Sequence, residues 1–281
     1  MASLKGTKRR IASVKNTQKI TRAMKLVSSA KYARSLASLN NAKPYGGLYL
    51  EMAQFIVAQN QAQDHVLVAG NKAKNTLYLL LATDRGLCGG LNTNLFKLVE
   101  SEIDKNKAQA IAWGKRAKSF CQRLNINLKE SKTGALDRPN FTLAANLARQ
   151  IIEAYKQNEC GEVKIAYSSF KNALTQTPVL KTLLPLHVDS KHLSAANKPF
   201  LWEPSIEVAF EAFVKNYLAS QIYQATLEAA VSEHAARMAA MDSATNNADE
   251  VIRRLTLEYN RARQAAITKE LIEITSGAEA L

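Results

Sequence analysis

Residues 205–276, between Pro204 and Gly277, contain neither glycine nor proline. A run of that length without the two residues that most disfavour a helix interior predicts one long helix, reaching roughly 100 Å if unbroken at about 1.5 Å per residue. A heptad frame runs through it at Phe210, Phe213, Tyr217, Ser220, Gln224, Leu227, Val231, His234, Met238, Met241, Thr245, Ala248, Ile252, Leu255, Tyr259, Ala262 and Ala266. All but Ser220, Gln224, His234 and Thr245 are apolar or aromatic, the pattern of a left-handed coiled coil. The competing reading is two amphipathic helices joined near Asn246-Asn247. His234 reads as a polar residue that fixes register.

A rod with a narrow seam needs a partner, and the N-terminus supplies one. Thr7 to Lys43 again lacks Gly and Pro and is rich in Ala, Lys, Arg, Leu and Met, so a second helix is predicted, ended by Pro44 and the Gly46-Gly47 pair. Its seam is expected at Ile20, Met24 and Val27, with Ala23, Leu26, Ala30, Ala33 and Ala37 beside them. Gly277 is expected to stop the C-terminal helix.

Between the two rods the period changes. Thr76–Ala82, Ala108–Trp113, Val163–Phe170 and Pro178–Leu186 read as strands, the first apolar throughout as in a sheet buried on both faces. Residues 92–104, 115–123 and 142–157 read as helices. Alternating strands and helices imply an α/β domain. The expected organisation is a helix over 1–60, an inserted α/β domain over 70–195, and a long helix over 205–281.

Charge is concentrated at one end. The formal net charge is +14, and residues 1–50 hold eleven Lys/Arg and no Asp/Glu; removing these from the 38 basic residues leaves 27 against 24 acidic ones downstream. Such a segment attracts nucleic acid, anionic lipid or an acidic protein surface alike. Its basic residues, Lys5, Lys8, Arg9, Arg10, Lys15, Lys19, Arg22, Lys25, Lys31 and Arg34, have no interleaved aromatics for base stacking, which favours an acidic protein surface. No run of about 18 apolar residues is present to cross a membrane, and the basic start lacks the apolar stretch of a signal peptide. Cys88, Cys121 and Cys160 are far apart, which argues against a zinc site or a disulfide framework.

The densest motif is Thr83-Asp84-Arg85-Gly86-Leu87-Cys88-Gly89-Gly90-Leu91-Asn92, directly after the first strand. Three glycines at a strand-to-helix turn could cradle a phosphate. The motif matches neither GxxxxGK[ST] nor GxGxxG, so a structural turn built on Asp84, Arg85, Gly86, Gly89 and Gly90, with positive-φ glycines, is the preferred reading. As neighbours at a strand end, Asp84 and Arg85 more often anchor a loop than catalyse. His65, His187, His192 and His234 have no metal spacing and no nucleophile partner.

Taken together, RRIASVKNTQKITRAMKLVSSAK, TDRGLCGGLN, SEHAARMAAMDSATNNA and YNRARQAAITKELIEITSGA resemble, in order and over essentially the whole chain, the gamma subunit of the rotary ATP synthase. The resemblance implies an antiparallel coiled coil of the two terminal helices, a Rossmann-like α/β domain between them, and a rotor shaft with no catalytic, cofactor or metal site of its own. It implies three alpha and three beta subunits, an epsilon subunit and a membrane c-ring as partners, no nucleic acid, and membrane association only through the complex. Arg263, Gln264, Thr268 and Glu270 would touch a catch loop of beta, and Met24 and Arg237 would lie near its acidic lever. Trp202 and Glu203 would belong to the foot on the c-ring. No regulatory cysteine pair or transit peptide is seen, so the expected location is the cytoplasmic face of a bacterial inner membrane, with a mature mitochondrial chain as the alternative.

Overall fold

A computed structural model describes residues 4–58, 65–186 and 206–279. In chain order they form α1 (Leu4–Ala58), α2 (Val66–Ala69), β1 (Thr76–Leu81), α3 (Leu91–Glu102), β2 (Ala108–Trp113), α4 (Lys115–Arg123), β3 (Asn127–Lys132), α5 (Phe141–Lys156), β4 (Glu162–Phe170), β5 (Gln176–Leu184) and α6 (Ile206–Glu279). The architecture is a long helix, a sheet domain and a second long helix. By packing, the chain divides into two units, Met1–Ser29 with Arg237–Leu281, and Ala30–Ala236, so the boundaries cut through both long helices.

The sheet order is β3-β2-β1-β4-β5. The first four strands run parallel and β5 returns antiparallel on β4. Central β1 explains its own composition. Leu77, Leu79 and Leu81 enter a core shared with α5 and with Phe210, Val214, Leu218 and Ile222 of α6. Tyr78, Leu80 and Ala82 face the other way, onto Leu95 and Val99 of α3 and Phe120 of α4. A strand buried on both faces has no position left for a polar residue.

One strand escapes the apolar criterion. β3, with the sequence NLKESK, is exposed along most of its length and lies at the sheet edge, where charges such as Lys129, Glu130 and Lys132 discourage pairing with another chain. β5 forms the opposite edge, where Pro178, paired with Ser168, has no ladder partner to lose on its outer side.

The long helices correct three expectations. First, α1 does not stop at Pro44 but continues through it to Ala58. Gly46 is buried, and a Cβ there would collide with the Gln224 side chain of α6. The glycine therefore marks a close helix approach, and this packing overrides the local preference to terminate. Second, α6 passes Gly277, the expected stop, and ends at Glu279, although it runs unbroken through Asn246-Asn247 as the single-helix reading expects. Third, α1 turns a different face inward than its apolar residues suggest. Ile20, Leu26 and Val27 are 60%, 67% and 60% exposed, while Thr21 and Ser28 are buried.

In the unit formed by residues 1–29 and 237–281, polar side chains bridge the two helices at three successive levels. Gln18 donates to Asp249, the Thr21 and Thr245 hydroxyls meet at 2.8 Å, and Lys25 Nζ lies 2.6 Å from Asp242. Each step forward along α1 is matched by a step back along α6, so the helices are antiparallel. The α6 frame does turn inward there, with Met241, Thr245, Ala248 and Leu255 buried. In the other unit the seam becomes apolar, with Leu39, Leu227 and Val231 forming a small core beside Tyr32 and Phe170.

Candidate functional site

The glycine-rich turn spends its polar groups on holding neighbouring loops. Asp84 accepts the Lys115 N–H at 2.8 Å through one carboxylate oxygen and the Gly134 N–H at 2.7 Å through the other. One residue thereby ties the ends of β1, β2 and β3 together. Thr83 is buried, its hydroxyl donates to the Arg85 carbonyl at 2.6 Å, and it accepts from the Asn92 amide at 2.8 Å. The same amide lies 3.3 Å from the Cys88 sulfur. Of the three glycines only Gly89 has positive φ, at 59°, and Leu87 takes the other such position at 62°. This corrects the expectation that the glycines share that role. Gly90 instead caps α3 at φ −83°, and Gly86 faces the Arg116 guanidinium.

The residues assigned to beta-subunit contact fall into three environments. Arg263, Gln264, Thr268 and Glu270 are all exposed on α6. The Thr268 hydroxyl donates back to the Gln264 carbonyl at 3.0 Å, leaving its lone pairs outward. Met24 is half-buried, whereas Arg237 is only 8% exposed and engaged within the chain's own packing. Trp202, Glu203, His187 and His192 lie outside the described residues. His65 accepts the Leu67 N–H as the cap of α2, and His234 is buried in the α6 frame.

A family model described as ATP synthase matches residues 3–281. Over the full length of this chain, the ATP synthase gamma chains of Moorella thermoacetica and Trichlorobacter lovleyi are 38% and 40% identical, with 100% and 99% of those chains covered. The chain belongs to the ATP synthase gamma-chain family. One chain of the OSCP/F1/c-ring structure of the Euglena gracilis mitochondrial ATP synthase has the same fold, aligning with a TM-score of 0.73 at 19% identity over 99% of this chain and 94% of that one. A chain of the central stalk and c-ring structure from Tetrahymena thermophila aligns with a TM-score of 0.63 at 26% identity, over 80% of this chain and 99% of that one. For a member of this family, the exposed end of α6 and the outer face of α1 are the surfaces to explain.

Two further groups were not marked by motif. Lys31 of α1 reaches Asp137 at 3.1 Å. Burial pushes the Asp137 carboxyl up, but the Lys31 hydrogen bond and charge, with Arg85 and His234 behind, outweigh it and hold it below the usual carboxylate range. Glu228, which is buried whereas Lys31 and Asp137 are exposed, is the second group. Its only sequence signal is a carboxylate in the otherwise small and apolar run TLEAAV.

The cysteines are all buried. Burial pushes the thiols of Cys121 and Cys160 up to about 11, so hardly any thiolate exists near neutrality. The native chain is expected to resist a thiol-titrating reagent at pH 8 and to release three equivalents on unfolding, read by absorbance. Rapid native labelling of Cys121 or Cys160 would show those core positions to be open.

Among the described residues, no helix is long and apolar enough to cross a membrane, and no group of three or more His, Cys, Asp or Glu is placed to hold a metal.

Proposed function

We propose that this chain is the rotating shaft of the ATP synthase, a subunit without catalytic residues that carries motion from a membrane c-ring to three alpha and three beta subunits. The observation that carries the reading is an inversion of ordinary helix design. Ile20, Leu26 and Val27 of α1 and Leu257, Ile267, Leu271, Ile272 and Ile274 of α6 are between 49% and 68% exposed, while polar side chains bridge the two helices. Extended apolar surface on a rod marks a surface meant to be enclosed. Lys8, Arg9, Arg10, Lys15, Lys19 and Arg22 are exposed on the same α1 segment and suit an acidic protein lining. DNA binding is not part of the reading.

A two-helix shaft inside a ring of three beta subunits presents a different face to each. It biases each site only by its differential interaction with that site's states, and moving a ratio from 1:99 to 99:1 takes about 5.5 kcal/mol. Turning the shaft passes that bias to the next site. The three-part division then becomes a division of labour: the helices over 1–60 and 205–281 enter the ring, and the domain over 70–195, with Trp202 and Glu203, meets epsilon and the c-ring. The bacterial relatives support a place at the cytoplasmic face of an inner membrane, held there through the complex.

Gln264 and Thr268 lie one helical turn apart on one exposed face and can meet a single loop of beta together. In the assembled complex, Gln264→Leu with Thr268→Val is expected to lower steady-state ATPase about thirtyfold, from loss of roughly 1 kcal/mol for each of two hydrogen bonds. Equilibrium nucleotide binding and the chain's folding should be unchanged, because both side chains are exposed. Unchanged multisite turnover would remove the catch assignment.

A further inference from the structure

We infer that Glu228 and Lys181 are positioning residues which lock the sheet domain to α6, so that torque applied to the domain is delivered to the shaft without slip. The inference rests on the rotor-shaft reading. α6 meets the sheet core through the large residues Phe210, Val214, Leu218 and Ile222 and, nearer Glu228, through Ala225 and Ala229, where the small side chains leave a smooth contact. Smooth apolar contacts resist separation better than sliding, because apolar attraction is non-directional. Directional bonds must supply the resistance to shear, and the structure places them in one patch. One Glu228 carboxylate oxygen accepts from the Ser169 hydroxyl at 2.7 Å, and the other from the Gln224 amide at 3.2 Å. Lys181 of β5 donates to the Gln221 side chain at 2.7 Å, one turn along α6. The Ser232 hydroxyl donates to the Ser168 carbonyl at 2.9 Å. Four α6 residues on successive turns, Gln221, Gln224, Glu228 and Ser232, are thus engaged from the paired strands β4 and β5 or from one another.

The Glu228 charge is felt by its neighbours on β4 and β5. Burial pushes the Lys181 ammonium down while Glu228 pulls it back up, and burial with the Glu228 charge raises the Tyr167 hydroxyl to about 12. A buried carboxylate such as Glu228 contributes little net stability over an apolar substitute, so the distinctive contribution of its directional bonds is a unique register.

The test uses the complete complex in vesicles, with Glu228→Ala, Glu228→Gln, Lys181→Met and the Glu228→Gln/Lys181→Met pair. The readouts are proton uptake per ATP hydrolysed and the urea midpoint of each chain. Glu228→Ala is expected to lower the uptake-to-hydrolysis ratio roughly fivefold, the equivalent of about one hydrogen bond. Glu228→Gln keeps the acceptor for Ser169 and should retain most coupling, and the neutral pair should match it. A fall in urea midpoint with an unchanged ratio in all four variants would overturn the inference, leaving the group only structural. If Glu228→Ala fails to assemble, equal ratios for wild type and Lys181→Met overturn it, and a lowered ratio supports it. Failure of the wild-type chain to support proton-coupled hydrolysis would count against the shaft reading itself.

Discussion

Replacing Gly114 by alanine is expected to cost the α/β domain about 4 kcal/mol or more, a large share of a domain's ordinary stability. Gly114 joins β2 to α4 at φ 104° and ψ 147°, a conformation essentially restricted to glycine. Its N–H donates to the Lys132 carbonyl at 2.7 Å, which holds the glycine against the neighbouring strand. A Cβ there would collide with the Ala82 carbonyl oxygen and lie 2.8 Å from its carbon. Those are backbone atoms at the end of β1, directly before the Thr83-Asp84 pair that ties three strands together. They cannot yield without breaking the Ala82 to Trp113 hydrogen bond at 3.0 Å and shifting the Asp84 carboxylate off Lys115 and Gly134. Backbone strain of about 1–3 kcal/mol combines with the collision, so the loss should reach about 4 kcal/mol or more. Urea titration followed by tryptophan fluorescence measures it, since buried Trp113 is the adjacent residue. Gly47→Ala is the control: nothing lies within 4 Å of its Cβ position inside α1, and it should be neutral or stabilise by up to about 1 kcal/mol. A Gly114→Ala chain as stable as wild type would show that β1 and the β2–α4 turn are not in contact as described.

The second large effect separates the two faces of α1. Leu39→Ala should destabilise the isolated chain by about 2–5 kcal/mol, because Leu39 is fully buried against Leu227 and Val231 and its loss leaves a cavity. Leu26→Ala, on the same helix but 67% exposed, should cost no more than about 0.5 kcal/mol. In the complete complex Leu26 becomes consequential, since the proposed function has a partner cover that face. Urea titration by circular dichroism on both variants decides the matter. Equal costs would show that the apolar stripe through Ile20, Leu26 and Val27 packs within the chain after all.

Strands β1, β2, β4 and β5 were legible because burial on both faces, or on one face of a long strand, forces apolar runs. β3 was not, because an edge strand satisfies its backbone on one side and gains by carrying charge on the other. Helix α4 was legible to the residue, since Gly114 before it and Arg123 at its end bracket an amphipathic run. The short helix α2 offers four apolar residues without a period and escaped notice. Asp84 was recognisable as a loop anchor from its place at a strand end, but its partners, the Lys115 and Gly134 amides, lie 31 and 50 residues away. The groups at Asp137 and Glu228 join residues as distant in sequence as Lys31 and Asp137, and no spacing announces them.

What the sequence determined by itself was local: that residues 205–276 form a helix, that the middle alternates strand and helix, and that four separated motifs carry a family resemblance. Propensity and periodicity are properties of neighbouring residues, so they survive without knowledge of the partner. What only the tertiary structure decided was where helices end and which face they hide. Pro44 and Gly46 look like a terminator until Gln224 of α6 is seen against Gly46. Thr21, Gln18 and Lys25 look like solvent-facing residues until Thr245, Asp249 and Asp242 are seen opposite them. The physical reason is common to both cases: a helix buries whichever face its partner can satisfy, and when polar groups find partners across a seam, apolar residues are left outside for a different surface to cover.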